Sequence, residues 1–163
     1  MYNRLGNIME NGDTLNPRHE SWTEDLTVIG GYPTPLSGLS VPFPGHPSEY
    51  LYFHQRAAPV YFSPVIGRKF LVRDVYYTHI DMEANGGLGR VISKNNPLYE
   101  DFSTGTGLTK MGDNQGWWLV HGTFASNIYY TYVVDSTGGE FTSCRYAWAK
   151  YLCWQRVTGL ARP

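Results

Sequence analysis

From Ser48 onward the chain alternates short β-branched and aromatic runs with clusters of Gly, Asn and Pro, the pattern of strands joined by turns. The runs predict strands at Glu49 to His54, Val60 to Ser63, Lys69 to Asp81, Leu88 to Ser93, Gly116 to Gly122, Ile128 to Asp135 and Glu140 to about Cys153. Turn chemistry separates them at Asn85-Gly86-Gly87, Asn95-Asn96-Pro97, Gly112-Asp113-Asn114 and Ser136-Thr137-Gly138-Gly139. Alternation is clearest where Ile128, Tyr130, Tyr132 and Val134 share one face and Tyr129, Thr131, Val133 and Asp135 the other. Between Lys69 and Asp81 the phase changes: Phe70 and Val72 lie on one face, Val75 and Tyr77 on the opposite one. A one-residue slip restores a common face, so a bulge or bend is predicted near Arg73-Asp74. In the last segment Cys144, Ala147, Trp148, Tyr151 and Leu152 also fit a helical stripe. The preceding turn leads most simply into a hairpin partner for residues 128 to 135, which favours a strand. Seven short strands without a convincing helix predict an all-β fold, a jelly-roll-like antiparallel β-sandwich over residues 48–163.

Residues 1–47 read differently. Eight of the ten prolines fall between Pro17 and Pro64, and the stretch from Gly30 to Pro47 can sustain neither helix nor central strand. An extended N-terminal arm is predicted. Unlike a flexible linker, it carries Trp22, Tyr32, Leu36, Leu39, Val41 and Phe43, side chains that require a surface to bury against. That surface is either the arm's own domain or a neighbouring subunit, since a stiff polyproline-like segment of some 30 residues reaches up to about 90 Å.

Composition narrows the function classes. The chain has 163 residues, 42% hydrophobic and 15% aromatic, with 13 tyrosines and five tryptophans, so it has the burial potential for one folded core. Only 17% of residues are charged and the formal net charge is -1, which provides no basic field for a nucleic-acid backbone. No apolar run approaches the length of a membrane-spanning helix, and the first residues lack the pattern of a signal peptide. A soluble protein made in a cytoplasm is expected. Cys144 and Cys153 are nine positions apart in what reads as one extended element, about 25 to 30 Å end to end, so they are expected to be separate free thiols.

Candidate chemistry is sparse. His79-Ile80-Asp81 with the distant His121 matches the residue types of a two-histidine, one-carboxylate metal site, the one enzyme-like constellation in the chain. His and Asp at a strand end are, however, ordinary surface and turn residues. No nucleophile elbow occurs. The Ser103 to Lys110 stretch lacks the spacing of a phosphate cradle and is expected to be a mobile loop. Catalytic residues, metal ligands and cofactors are therefore not assigned. The aromatic residues carry more promise: Trp117 and Trp118 are adjacent, so on a strand one faces the core and the other outward. Outward aromatics on a sheet provide a platform for sugar rings or a protein partner, or a bed for the chain's own arm. Trp22, Tyr32, Phe43, Trp117 and Trp118 are the candidate partner-binding residues.

Two segments, GRKFLVRDVYYTHIDMEANGGLGRVISKNN and GWWLVHGTFASNIYYTYVVDSTGGEF, give the stretch from about Pro59 to Leu152 a pattern that resembles the β-sandwich virion proteins of tailed bacteriophages, head decoration and head- or tail-fibre proteins. The resemblance implies a non-enzymatic structural protein, located in the virion after synthesis in the host cytoplasm. It would dock on a major capsid or tail protein and assemble as a homo-oligomer, with a trimer favoured, without nucleic-acid or membrane partners. The dense aromatics towards the C-terminus point to the alternative, a carbohydrate- or receptor-binding module.

Overall fold

A computed structural model describes the backbone of residues 1–16, 38–63, 67–137, 140–147 and 150–158, with side chains over 1–16, 38–56 and 71–137. The strands are β1 (Gly38–Pro42), β2 (Glu49–Ser63), β3 (Gly67–Asp81), β4 (Arg90–Lys110), β5 (Trp117–Thr123), β6 (Tyr129–Val134), β7 (Glu140–Ala147) and β8 (Lys150–Thr158). Every pairing is antiparallel and joins neighbours in sequence. The expected all-β, antiparallel class is observed. Strands β1 to β6 form one six-stranded sheet curled into a half-barrel, and β7 and β8 continue the ladder. The connectivity differs from a jelly roll: a meander replaces the long crossovers of a Greek key, and the described strands show no second sheet facing the first. Alternation and turn signals are common to both architectures; strand order is decided by tertiary packing.

The curl comes from β4. Its first half pairs with β3, from Asp81↔Arg90 to Arg73↔Phe102, and its second half pairs with β5, from Ser103↔Thr123 to Lys110↔Trp117. The predicted turn at Asn95-Asn96-Pro97 is instead an irregularity inside this strand. Asn95 takes a left-handed φ of 58°, and the β3 to β4 register shifts several times. Asn96 Nδ2 donates to Tyr77 O at 3.2 Å and to Ser93 Oγ at 3.0 Å, so asparagine chemistry here bends a strand without reversing it. The Ser103 to Lys110 stretch is likewise no loop: its backbone is held along the Trp117–Thr123 ladder, which outweighs the turn tendency of Gly105 and Gly107.

The bulge predicted near Arg73-Asp74 is present. Gln55 pairs with Val75 and Arg56 with Arg73, leaving Asp74 unopposed at φ 49°. Residues 129–134 show the predicted faces, with Tyr132 and Val134 buried while Tyr129 is exposed. β1 was hidden by Pro42 and the prolines that follow it. It is an edge strand, and Pro42, which lacks an N–H, closes it opposite Tyr50. The last segment is two strands. Because β7 and β8 form a hairpin, Cys144 and Cys153 are opposed Cα partners on neighbouring strands, not the two ends of one extended element.

The concave face holds the main core: Val41, Phe43, Leu51, Phe53, Val75, Tyr77, Leu98, Leu119, Tyr132 and Val134. On the convex face of β2 to β4, Met9 packs against Ile80 and Val91, flanked by Met1, Tyr50, Tyr52 and Met82. The first 16 residues thus cover their own sheet. Ion pairs Glu10–Arg90 at 2.9 Å and Asp13–Lys94 at 2.8 Å border this cover, and Asn11 Nδ2 donates to Val91 O at 3.0 Å.

Candidate functional site

Between β1 and β2 the chain turns through Phe43-Pro44-Gly45-His46-Pro47-Ser48. Backbone bonds Phe43 N to Glu49 O (2.9 Å), His46 N to Phe43 O (3.1 Å) and Glu49 N to His46 O (3.1 Å) fix the turn. Gly45 sits at φ 79°, a conformation that favours glycine. The Phe43 ring enters the core; His46 stacks on it at 4.4 Å between ring centroids, and His79 meets it edge-on at 5.3 Å. The Glu49 carboxylate joins both imidazoles, at 3.3 Å from His46 Nδ1 and 2.5 Å from His79 Nε2. A carboxylate between two histidines ties the turn to β3.

The facing wall is the β4 to β5 turn and the start of β5. Met111 N donates to Gly116 O at 2.9 Å, and Asp113 Oδ1 accepts Gln115 N at 3.0 Å. A Cβ on Gly116 would collide with Val134 O, so glycine lets β5 begin hard against the end of β6. Trp117 follows. Its indole packs against the core and its Nε1 donates to Pro42 O at 3.2 Å, bringing the β1 end to the β5 end. An open groove of about 440 Å³ lies between the walls, lined chiefly by Pro44, His46, Pro47, Lys110, Asn114 and Trp117, with Phe43 at its base. That volume falls in the range of functional pockets. Flat aromatic and proline surfaces with a cation and an amide at the rim suit an apolar side chain or a sugar face.

Of the candidate partner-binding residues, Phe43 and Trp117 are brought together in this groove. Trp118, opposite Thr109 and Val133, takes the other face of β5 and is half-buried. Trp22 and Tyr32 lie outside the described residues. The three candidate metal ligands are not gathered: His79 is engaged by Glu49, Asp81 Oδ1 accepts the Glu83 and Ala84 amides at 2.9 and 3.3 Å, and His121 packs among Tyr99, Tyr130 and Tyr132. Among the described residues no cluster of three or more His, Cys, Asp or Glu is placed to hold a metal ion.

Sequence reasoning missed a set of buried polar groups. His54, 1% exposed, bonds Asn16 Oδ1 through Nδ1 at 2.7 Å and Thr78 Oγ1 through Nε2 at 2.8 Å. With the amide oxygen accepting, Nδ1 carries the proton and Nε2 accepts from the threonine hydroxyl, a neutral imidazole. Burial holds the His54 pKa down at about 4. His121 is lowered to about 4 by burial, partly opposed by its bond to Gly122 O. Gln55 Nε2 donates to Ser103 Oγ and Thr104 O, while its Oε1 is buried without a partner. Arg56 forms a buried pair with Asp74 Oδ2, through Nη2 at 2.6 Å and Nε at 2.9 Å. The run His54-Gln55-Arg56, polar residues that continue the predicted strand past His54, was the available signal.

No family model, curated protein or solved structure matches this chain.

Proposed function

We propose that the chain is a non-enzymatic structural protein of a virion, which docks on a major capsid or tail protein and stabilises the assembly. The observation that carries this reading is the open groove that joins Phe43 and Trp117 across two turns. Its walls are fixed by backbone bonds and by the Glu49 bridge, so a partner meets a preformed surface and little ordering entropy is lost on docking. The sequence pattern of tailed-phage virion proteins supplies the class of partner. An assembly protein needs only surface complementarity, which suits a site with aromatic and proline walls.

Mass spectrometry of gradient-purified particles from cells producing the chain tests the reading. It should be present in fixed ratio to a capsid or tail protein, and a Trp117→Ala chain that still folds should be depleted. A chain absent from every particle fraction would refute the assignment. Lys110 and Asn114 beside Trp117 favour one alternative, a carbohydrate-binding module, because a sugar needs polar groups around a stacking ring. Glycan-array binding abolished by the same substitution, with no particle association, would establish it.

A further inference from the structure

The N-terminal cover ends in a feature that its own sheet does not use. Tyr2 and Ile8 form an antiparallel bridge, Asn3 N donates to Asn7 O at 2.8 Å, and Gly6 N donates to Asn3 O at 3.0 Å. The Asn3 side chain closes the turn from within: its Oδ1 accepts Leu5 N at 2.9 Å and Asn7 N at 3.1 Å. Gly6, at φ 79°, completes this small hairpin. Its base is anchored, since Met9 is buried against Ile80 and Val91 and Glu10 pairs with Arg90. Yet its side chains point away: Tyr2 is 70% exposed, Leu5 65% and Ile8 57%, the three most exposed large apolar residues among those described. A hairpin hydrogen-bonded into one shape and presenting three large apolar side chains beside Arg4 and Asn7 is a knob without a hole.

The same chain carries a hole. The groove beside Trp117 has apolar and aromatic walls, and its volume of about 440 Å³ is enough for a few side chains but too little for a domain face. Charge at the edges is mixed. Arg4 is exposed at the knob tip; Asp113, of opposite sign, is exposed in the turn that carries the lining residue Asn114, while Lys110 lines the groove itself. We propose that the Tyr2 to Ile8 hairpin of one copy inserts into the Phe43, His46, Trp117 groove of a second copy. Leu5 would take the apolar floor and Arg4 would meet Asp113. Knob and groove are different patches, so two copies can exchange knobs reciprocally as a closed dimer, or each copy can use its knob on one neighbour and its groove on another. The second arrangement closes as a ring or continues as a filament. The proposal deepens the assembly reading and rests on it, by naming the occupant of the groove as a second copy of this chain.

The test uses the full chain, untagged at its N-terminus, with solution mass measured by light scattering over a concentration series. Two surface substitutions separate the partners: Leu5→Ser blunts the knob, and Pro47→Arg plugs the groove and repels Arg4. Both residues are exposed, so circular dichroism and melting should match the parent. The parent should exceed the 18.5 kDa monomer mass and each variant should remain a monomer. An equimolar mixture of the variants should give a dimer that grows no further, because one intact knob and one intact groove remain between them. A parent that is monomeric throughout, or a parent oligomer that Leu5→Ser leaves intact, would overturn the proposal. Oligomers lost in Pro47→Arg but kept in Leu5→Ser would show the groove occupied by something else. That result, or a monomer found in purified particles, would leave the assembly reading standing without this one.

Discussion

Acid should destabilise the protein through His54, and the size of the effect follows from its surroundings. Its neutral form satisfies both ring nitrogens: Nδ1–H on Asn16 Oδ1 and Nε2 on the Thr78 hydroxyl. Protonation would put the ring's second N–H at Nε2, forcing Thr78 to turn its own hydrogen away, and would place a charge where the ring is 1% exposed. Burial therefore holds the folded pKa at about 4, against 6.5 for an unconstrained imidazole. The folded state binds fewer protons than the unfolded one between these values. The stabilising contribution is complete above about pH 6.5 and is lost as pH falls towards 4. Each tenfold difference in proton affinity is worth about 1.4 kcal/mol, so the full loss is about 3 kcal/mol, most of which is gone by pH 4.5. Urea unfolding at pH 7.5 and pH 4.5 measures it, with His54→Gln as the comparison. The variant should lose about 2 to 3 kcal/mol less than the parent over that interval, whatever its stability at neutral pH. Equal losses in parent and variant, or a His54 ring resonance that titrates near pH 6.5 while the fold is intact, would refute the reasoning.

Two further substitutions probe the buried polar groups. Asp74→Asn keeps a residue tolerant of the left-handed bulge but leaves Arg56 buried beside a neutral amide; a loss of about 3 kcal/mol in the urea midpoint analysis is expected. A loss under about 1 kcal/mol would show Arg56 reaching solvent. Tyr132→Phe removes the hydroxyl that lies between His121 Nε2 at 3.2 Å and Leu98 O at 3.3 Å, and should cost about 1 to 3 kcal/mol; an unchanged melting temperature would contradict that bridge.

What was legible in the sequence was whatever one strand records by itself. The phase slip between Val72 and Val75 located the Asp74 bulge, because period-2 alternation cannot cross an extra residue unnoticed. The faces of Tyr129 to Val134 were equally plain. Features set by a partner strand were not. Pro42 and Pro44 argued against a strand, yet an edge position makes β1 acceptable, and the glycines of Ser103 to Lys110 concealed a ladder held by β5. Phe43 and Trp117 were both singled out, but the groove arises from their meeting across 74 positions, which only the curled sheet brings about. His54 and Asn16 likewise acquire meaning only as neighbours.

The sequential strand order has a kinetic consequence. Each strand finds its partner in the adjacent segment, so the meander can zip from either end by closing short loops, a route of low contact order for an all-β chain. The N-terminal cover is the exception. Glu10 reaches Arg90, and Asn16 N reaches Asn95 Oδ1, across nearly eighty positions. During synthesis these residues emerge before β4 and have no binding site until it has left the ribosome. The cover should therefore lock only after β3 and β4 have paired, with the convex surface of β2 and β3 bare until it does.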